Sequence, residues 1–220
     1  MSAYIQIIKL GGVNCFLVRD KGSILVDTGT PGQHDKILNQ VKKLGLDPHE
    51  IGLIIITHGH GDHFGSAQRI KELTKAKIVI HREDADIVSE GKKVFPPGLN
   101  AWGSFLAFIW RPMFSLINYI GVEPDIVLED EFLLAEFGIK GRIIHTPGHT
   151  AGSVSVILDG GEAIVGDLAM NGFPMRRGAG MPIFGNSERE IKQSWKKLLD
   201  IGVSIIYPGH GAPFPANHLK

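Results

Sequence analysis

Sulfur is nearly absent as a ligand in this chain. The 220 residues contain a single cysteine, Cys15, which excludes an internal disulfide and a thiolate-rich metal cluster. Its neighbours Val13, Phe16 and Leu17 mark it as a small buried hydrophobe. An excess of either charge is also missing. Twenty-three basic residues balance 23 acidic ones, so no global field draws the protein to nucleic acid or to an anionic membrane, and nucleic acid is not an expected partner. The segment Met1 to Leu10 lacks a basic stretch followed by a long apolar run, so a secretory leader is not expected and a reducing cytoplasm is the default location. No linker rich in Pro, Gly and Ser divides the sequence. With 43% hydrophobic residues, the chain can bury one substantial core, and residues 1–220 read as a single domain.

Apolar runs at Ile5 to Leu10, Val13 to Val18 and Ile24 to Val26, separated by Gly11-Gly12 and Lys21-Gly22, read as a strand meander. Helical spacing at Ile37, Val41 and Leu44 predicts a helix over Gln33 to Leu44, with Gly45 placed to end it. A strand at Leu53 to Ile56, a helix over Asp62 to Leu73 and a strand at Lys77 to Ile80 follow. A second series predicts strands at Ile126 to Leu128, Arg142 to His145, Ser153 to Leu158 and Ala163 to Val165. It ends with a helix over Glu188 to Leu199 and a strand at Ser204 to Ile206. The two halves echo each other only in the order of their elements.

What the chain does have is histidine in one place. Thr57-His58-Gly59-His60-Gly61-Asp62-His63 gathers three imidazoles and a carboxylate directly after the apolar run Leu53 to Ile56, on a strand-to-helix loop. His58 and His60, two apart on extended chain, can point the same way, while Asp62 and His63 at the helix start aim elsewhere. Two adjacent metal sites fit this layout better than one.

Further candidates stand at later strand ends. Thr146-Pro147-Gly148-His149-Thr150 forces a turn that presents His149. Val165-Gly166-Asp167 puts a carboxylate at the end of an apolar strand, and Tyr207-Pro208-Gly209-His210 repeats the design of strand, Pro-Gly and His. Each is weak alone, since a lone His is often a satisfied structural group. Equivalent strand ends could nevertheless gather all of them at one mouth of a layered sheet structure.

These motifs, in this order, resemble the metallo-β-lactamase superfamily of metal-dependent hydrolases, and the resemblance covers nearly the whole length. Its His-x-His-x-Asp-His signature is met by His58, His60, Asp62 and His63; its later motifs are met at His149, Asp167 and His210. The resemblance implies an α/β (α+β) fold, the four-layer αβ/βα sandwich. It implies that His58, His60 and His149 bind one metal, that Asp62, His63 and His210 bind a second, and that Asp167 bridges them. Asp27-Thr28-Gly29 matches the family's early motif, in which the Asp supports the ligand loop by hydrogen bonding. His145, four residues before His149, is expected to pack or support rather than to ligate.

Imidazole and carboxylate ligands suit two divalent cations, Zn²⁺ first, with Fe²⁺ or Mn²⁺ as alternatives. Such a pair can bring a bound water's pKa to near 7 and supply hydroxide as nucleophile, with Asp62 orienting the water as the catalytic carboxylate. The ligand set resembles glyoxalase II and lactonase-type members. With ten residues after His210, the helical domain that binds glutathione in longer glyoxalase II enzymes is not expected here. The expected activity is hydrolysis of a small ester, lactone or thioester; the alternatives are a mononuclear non-haem iron persulfide dioxygenase and a phosphodiesterase. The expected partner is a small-molecule substrate.

Two segments are candidates for shaping the substrate site. Gly98 to Gly121 is an apolar helical insertion interrupted by Arg111-Pro112, which predicts a helical hairpin. It reads as a lid whose Trp102 and Phe105 form an acyl pocket, or as a core helix or homodimer surface; membrane contact is not expected. Asn171 to Gly185 carries Arg176-Arg177, read as a solvated basic pair, with an anion-reading pocket wall as the alternative.

Overall fold

The computed structural model describes residues 3–172 and 176–219. Its opening meander pairs as the apolar alternation requires: β1 (Tyr4–Lys9), β2 (Asn14–Arg19) and β3 (Ser23–Val26) are antiparallel neighbours. Helix α1 (His34–Lys43), closed by Gly45 at φ +77°, carries the chain to β4 (Ile51–Ile55), parallel to β3. Two short helices, α2 (Gly61–Phe64) and α3 (Ala67–Thr74), lead to β5 (Lys77–His81) and α4 (Arg82–Glu90). Helix α5 (Ala101–Ser115) then precedes β6 (Ile126–Leu128), and β1 to β6 lie side by side in sequence order.

The second half adds β7 (Glu131–Leu133), β8 (Gly141–His145), β9 (Val154–Leu158), β10 (Glu162–Ile164), β11 (Met170–Asn171) and α6 (Glu188–Asp200). It closes with β12 (Ile205–Tyr207), β13 (His210–Gly211) and β14 (Phe214–Pro215). Its sheet runs β14-β12-β10-β9-β8-β7, and β11 and β13 form a separate parallel pair.

Alternation along the strands makes the layers. In β2, Cys15 and Leu17 face a core shared with Ile37, Val41 and Ile70 of the helices, whereas Phe16 and Val18 face a second core shared with Ile143, Val156 and Ile164 of the other sheet. A third core packs Ile191, Trp195 and Leu198 of α6 on the far side of that sheet. The result is helix, sheet, sheet, helix, the four-layer sandwich.

The structure departs from two local expectations. The helix over Asp62 to Leu73 is broken at Gly65 and Ser66, because a loop crosses it there. A Cβ on Gly65 would lie 2.6 Å from Pro31, and the Ser66 hydroxyl donates to the Thr30 carbonyl at 2.7 Å while accepting from Gln33 N. The hairpin expected around Arg111-Pro112 is instead one helix, with Pro112 in its last turn, where the missing N–H costs a single hydrogen bond. Helix α4 and strand β7 carried no pattern that the sequence reading had used.

Candidate metal centre

Four strand ends meet at one edge of the sandwich. The segment after β4 brings His58, His60, Asp62 and His63; the turn after β8 brings His149; the ends of β10 and β12 bring Asp167 and His210. The two ligand-bearing halves are joined directly, since Val154 N donates to the Thr57 carbonyl at 2.9 Å. All seven predicted site residues therefore converge. They form three overlapping groups whose ligand atoms lie within 4.8 Å of one another: His58, His60 and His149; His58, His63 and Asp167; Asp62, His63 and His210. The first and third are the two sets that the resemblance implied, and Asp167 lies beside both.

The orientation of four of the five imidazoles is fixed by the other nitrogen. His63 Nδ1 donates to Asp27 Oδ2 at 2.7 Å, His149 Nδ1 to the Phe184 carbonyl at 3.0 Å and His210 Nδ1 to the Gly12 carbonyl at 2.7 Å. Thr57 donates its hydroxyl to Asp27, leaving its oxygen to accept from His58 Nδ1 at 3.1 Å. These bonds aim Nε2 of four histidines into one space. There, His58 Nε2, His63 Nε2 and Asp167 Oδ1 are buried without a hydrogen-bond partner, although His63 and Asp167 approach to 3.3 Å. Buried polar atoms left unbonded around a shared point fit a bound cation, which would satisfy them together.

Charge in the site is already divided. Burial, reinforced by neighbouring imidazoles, holds His58 well below the ordinary histidine range and His60 at about 3; burial lowers His149 as well. His63 and His210 go the other way despite burial. Asp167, Asp27 and Asp62 raise His63, while Asp167 and Asp62 raise His210 to about 10. The same imidazoles hold Asp62 and Asp167 below the usual carboxylate range against the opposing effect of burial. Protons on His63 and His210 thus stand where cations would balance the carboxylates.

Asp27 supports the loop as the early motif implied. Its fully buried carboxylate accepts from Thr57 N at 2.8 Å as well as from Thr57 Oγ1 and His63, and it sits at φ +60°, uncommon for a residue other than glycine. His145 lies outside all three ligand groups: its ring stacks on His81 at 3.9 Å and its Nε2 bonds the Ala151 carbonyl.

Two residues escaped the sequence reading. Asp84, buried in α4, accepts from Gly59 N at 2.8 Å, Thr150 Oγ1 at 2.7 Å and Gly152 N at 3.1 Å, and so clips the two histidine-bearing loops together. An aspartate in the first turn of a helix gave no signal of this, because the usual reading is a favourable helix terminus. Tyr119 lies across Gly61, between His60 and Asp62: a Cβ on Gly61 would fall 2.2 Å from the Tyr119 Cζ. Burial, with a smaller effect from Asp62, pushes its hydroxyl up to about 12, so it stays protonated.

Two adjoining spaces open on these groups. A cleft of about 790 Å³ is lined by Asp62 and His210 on one side and by Trp110, Met113 and Phe114 of α5 on the other. A cavity of about 50 Å³ lies between the histidine cluster and the rings of Tyr119, Phe95 and Phe184. Three residues of the apolar segment thus line the cleft, and they are not the two expected to form an acyl pocket. Trp102 and Phe105 stack on each other, with centroids 5.7 Å apart, and are about half exposed, because they fall on the outer side of a single helix. Arg176 bonds the Met181 carbonyl at 3.1 Å, while Arg177 is exposed; residues 173–175 of the expected pocket wall, just before them, lie outside the described residues.

A family model described as the metallo-beta-lactamase superfamily matches residues 8–210. The chain is 26% identical over 208 residues to the probable metallo-hydrolase YflN of Bacillus subtilis (strain 168), covering 90% of this chain and 78% of that protein. It is 32% identical over 166 residues to a probable metallo-hydrolase of Methanocaldococcus jannaschii, covering 74% of this chain and 71% of that protein. The crystal structure of BLEG-1, a B3 metallo-beta-lactamase, matches with a TM-score of 0.71 over 97% of this chain and 95% of its own, at 18% identity, a likeness of fold alone. With a family match that runs from β1 to His210 and a histidine-carboxylate cluster suited to metal, the chain belongs to the metallo-beta-lactamase superfamily of metal-dependent hydrolases.

Proposed function

We propose that this protein is a binuclear metallo-hydrolase acting on a small ester, lactone or thioester with a hydrocarbon acyl group. One observation carries the substrate class: the cleft of about 790 Å³ pairs an apolar wall, Trp110, Met113 and Phe114, with the carboxylate of Asp62 and the imidazole of His210. Such a cleft holds a hydrocarbon chain and sets its acyl carbon beside the polar groups.

His58, His60 and His149 would hold one cation, Asp62, His63 and His210 the other, with Asp167 between them; the unbonded His58 Nε2, His63 Nε2 and Asp167 Oδ1 support this assignment. When bound, two divalent cations supply an acidified water as nucleophile and an electrophile for the acyl oxygen. The remaining work falls to the chain. Asp62, part-exposed to the cleft, accepts a hydrogen bond from the attacking water and orients it toward the acyl carbon. The protonated Tyr119 hydroxyl, across Gly61, donates to the oxygen on which charge develops. Trp110 and Phe114 exclude water around the acyl chain.

The test is metal quantification on anaerobically purified protein, followed by a hydrolysis panel of esters, thioesters, lactones and phosphodiesters. Two equivalents of metal and turnover of acyl substrates are expected. Asp167→Ala should lower both occupancy and rate, and His145→Ala should leave metal content unchanged. A single iron with oxygen consumption on a persulfide, or turnover confined to phosphodiesters, would replace this reading.

A further inference from the structure

Helix α5 is apolar on two stripes, with its polar residues Ser104, Arg111 and Ser115 falling together on one exposed side. One stripe, Gly103, Leu106, Ala107, Trp110 and Phe114, turns inward onto Phe184 and the cleft. The other, Phe105, Phe108, Ile109 and Leu116, follows the spacing i, i+3, i+4, i+11 and turns outward, with Met113 at its border with the cleft. Phe108 is 80% exposed and Leu116 is 82% exposed, and Ile120 extends the patch at 69%. Large side chains along one face at that exposure call for an apolar cover.

The charges around the face show what kind. Residues 91–122 contain Lys92, Lys93 and Arg111 and no acidic residue; residues 171–187 contain Arg176 and Arg177 and again no acidic residue. All 23 acidic residues lie elsewhere, against 18 basic ones, so a chain with no net charge is divided into a cationic face and an anionic remainder. These cations flank α5 in space. Lys93 Nζ donates to the Ser115 carbonyl at the helix end, and the Arg111 guanidinium lies over the Phe95 ring. Leu99 N bonds the Ile183 carbonyl, which ties the arginine-bearing segment to the helix start. Lys92 is paired with Glu90, leaving four cations without an acidic partner among the described residues.

We propose that the outer face of α5 docks on an anionic lipid surface. An apolar helix stripe rimmed by Lys and Arg, with its acids removed to the rest of the chain, is the pattern of a helix lying in a membrane interface. Fifteen residues span only about 22 Å, short of a bilayer core of about 30 Å, so α5 lies along the surface and does not cross it. A second copy of the chain fits less well, because a symmetric contact would set this cationic rim against itself. The expectation of no membrane contact rests on the interruption at Arg111-Pro112, which argues against a span, and on overall charge balance, which conceals the division between faces. Docking would also place the cleft wall, Trp110, Met113 and Phe114 of the same helix, at the lipid interface.

The test is co-sedimentation of the metal-loaded full chain with vesicles of phosphatidylcholine alone and of phosphatidylcholine with phosphatidylglycerol. The protein should pellet with the anionic vesicles, release as salt is raised, and stay largely in solution with the neutral ones. The double substitution Phe108→Ser and Leu116→Ser should weaken binding by about tenfold or more, and Lys93→Gln with Arg177→Gln should do so for anionic vesicles. Circular dichroism and sedimentation velocity on the same samples check fold and oligomeric state. Absence of vesicle binding by the wild type, binding that persists in the apolar double variant, or a wild-type dimer that this variant turns to monomer would each overturn the proposal. Vesicle binding needs no substrate, so its failure is separate from failure of the hydrolase reading.

Discussion

His63 and Asp27 form a wholly buried pair in which Nδ1 donates to the carboxylate at 2.7 Å, leaving the His63 Nε2 free to face Asp167 and Asp62. The pair sets the tautomer and the aim of the ring together. In Asp27→Asn one of the two carboxylate oxygens becomes an amide donor, so the donors of Thr57 and His63 no longer all find an acceptor. Metal affinity is expected to fall roughly tenfold to a hundredfold, measured by chelator competition, with the far-ultraviolet circular dichroism unchanged. Wild-type affinity in this variant would show that the pair does not position the ligand.

The metal-free protein should be most stable near pH 6.5. Below that, His58, His60 and His149, all held down by burial, take protons more readily when unfolded, so stability falls as the pH drops from about 6.5 to about 3. Above it, His63 and His210 keep protons that the unfolded chain has lost. Their contribution is complete below pH 6.5 and disappears as the pH rises to about 10. Urea denaturation of chelated protein across this range reads both flanks. Metal loading should remove the alkaline flank, because bound imidazoles no longer carry the extra protons. An alkaline flank that persists with metal would mean that His63 and His210 are not ligands.

Tyr119→Phe should leave metal content and KM near wild type and lower kcat by roughly tenfold to a hundredfold, since only a donor to the developing charge is lost. Gly61→Ala should disturb the site more severely, because a Cβ there meets the Tyr119 ring at 2.0 Å. Steady-state kinetics on an active acyl substrate, with metal analysis of the same samples, distinguish a rate effect from loss of the centre. An unchanged kcat in Tyr119→Phe would remove the hydroxyl from the mechanism.

The apolar wall predicts a dependence on acyl length. Each buried CH₂ contributes about 0.8 kcal/mol, so kcat/KM on an ester or lactone series should rise by up to roughly fourfold per methylene until the cleft is filled. Trp110→Ala should flatten the slope. Trp102→Ala should preserve it, because Trp102 stacks with Phe105 on the outer side of α5 and does not line the cleft. Equal slopes in the wild type and Trp110→Ala would place the acyl group elsewhere.

Much of this protein was fixed by local pattern. The alternation in Cys15, Phe16, Leu17 and Val18 sorts side chains between two cores, and the spacing of Ile37 and Val41 sets the buried face of α1, because burial acts through periods of two and 3.6 residues that sequence displays directly. The seven site residues were legible for a related reason: six adjoin a glycine at a turn after an apolar strand, and His63 follows directly in the same run as His58, His60 and Asp62. Tertiary structure alone decided what depends on residues distant in the chain. Asp84 reaches Thr150 across 66 positions, Tyr119 fits against Gly61, and Pro31 breaks the helix at Gly65. It also decided which apolar stripe of the helix turned inward: the polar line Ser104, Arg111 and Ser115 is too narrow to distinguish the two stripes beside it, and packing against Ile183 and Phe184 placed Trp110 in the cleft and Phe108 in solvent.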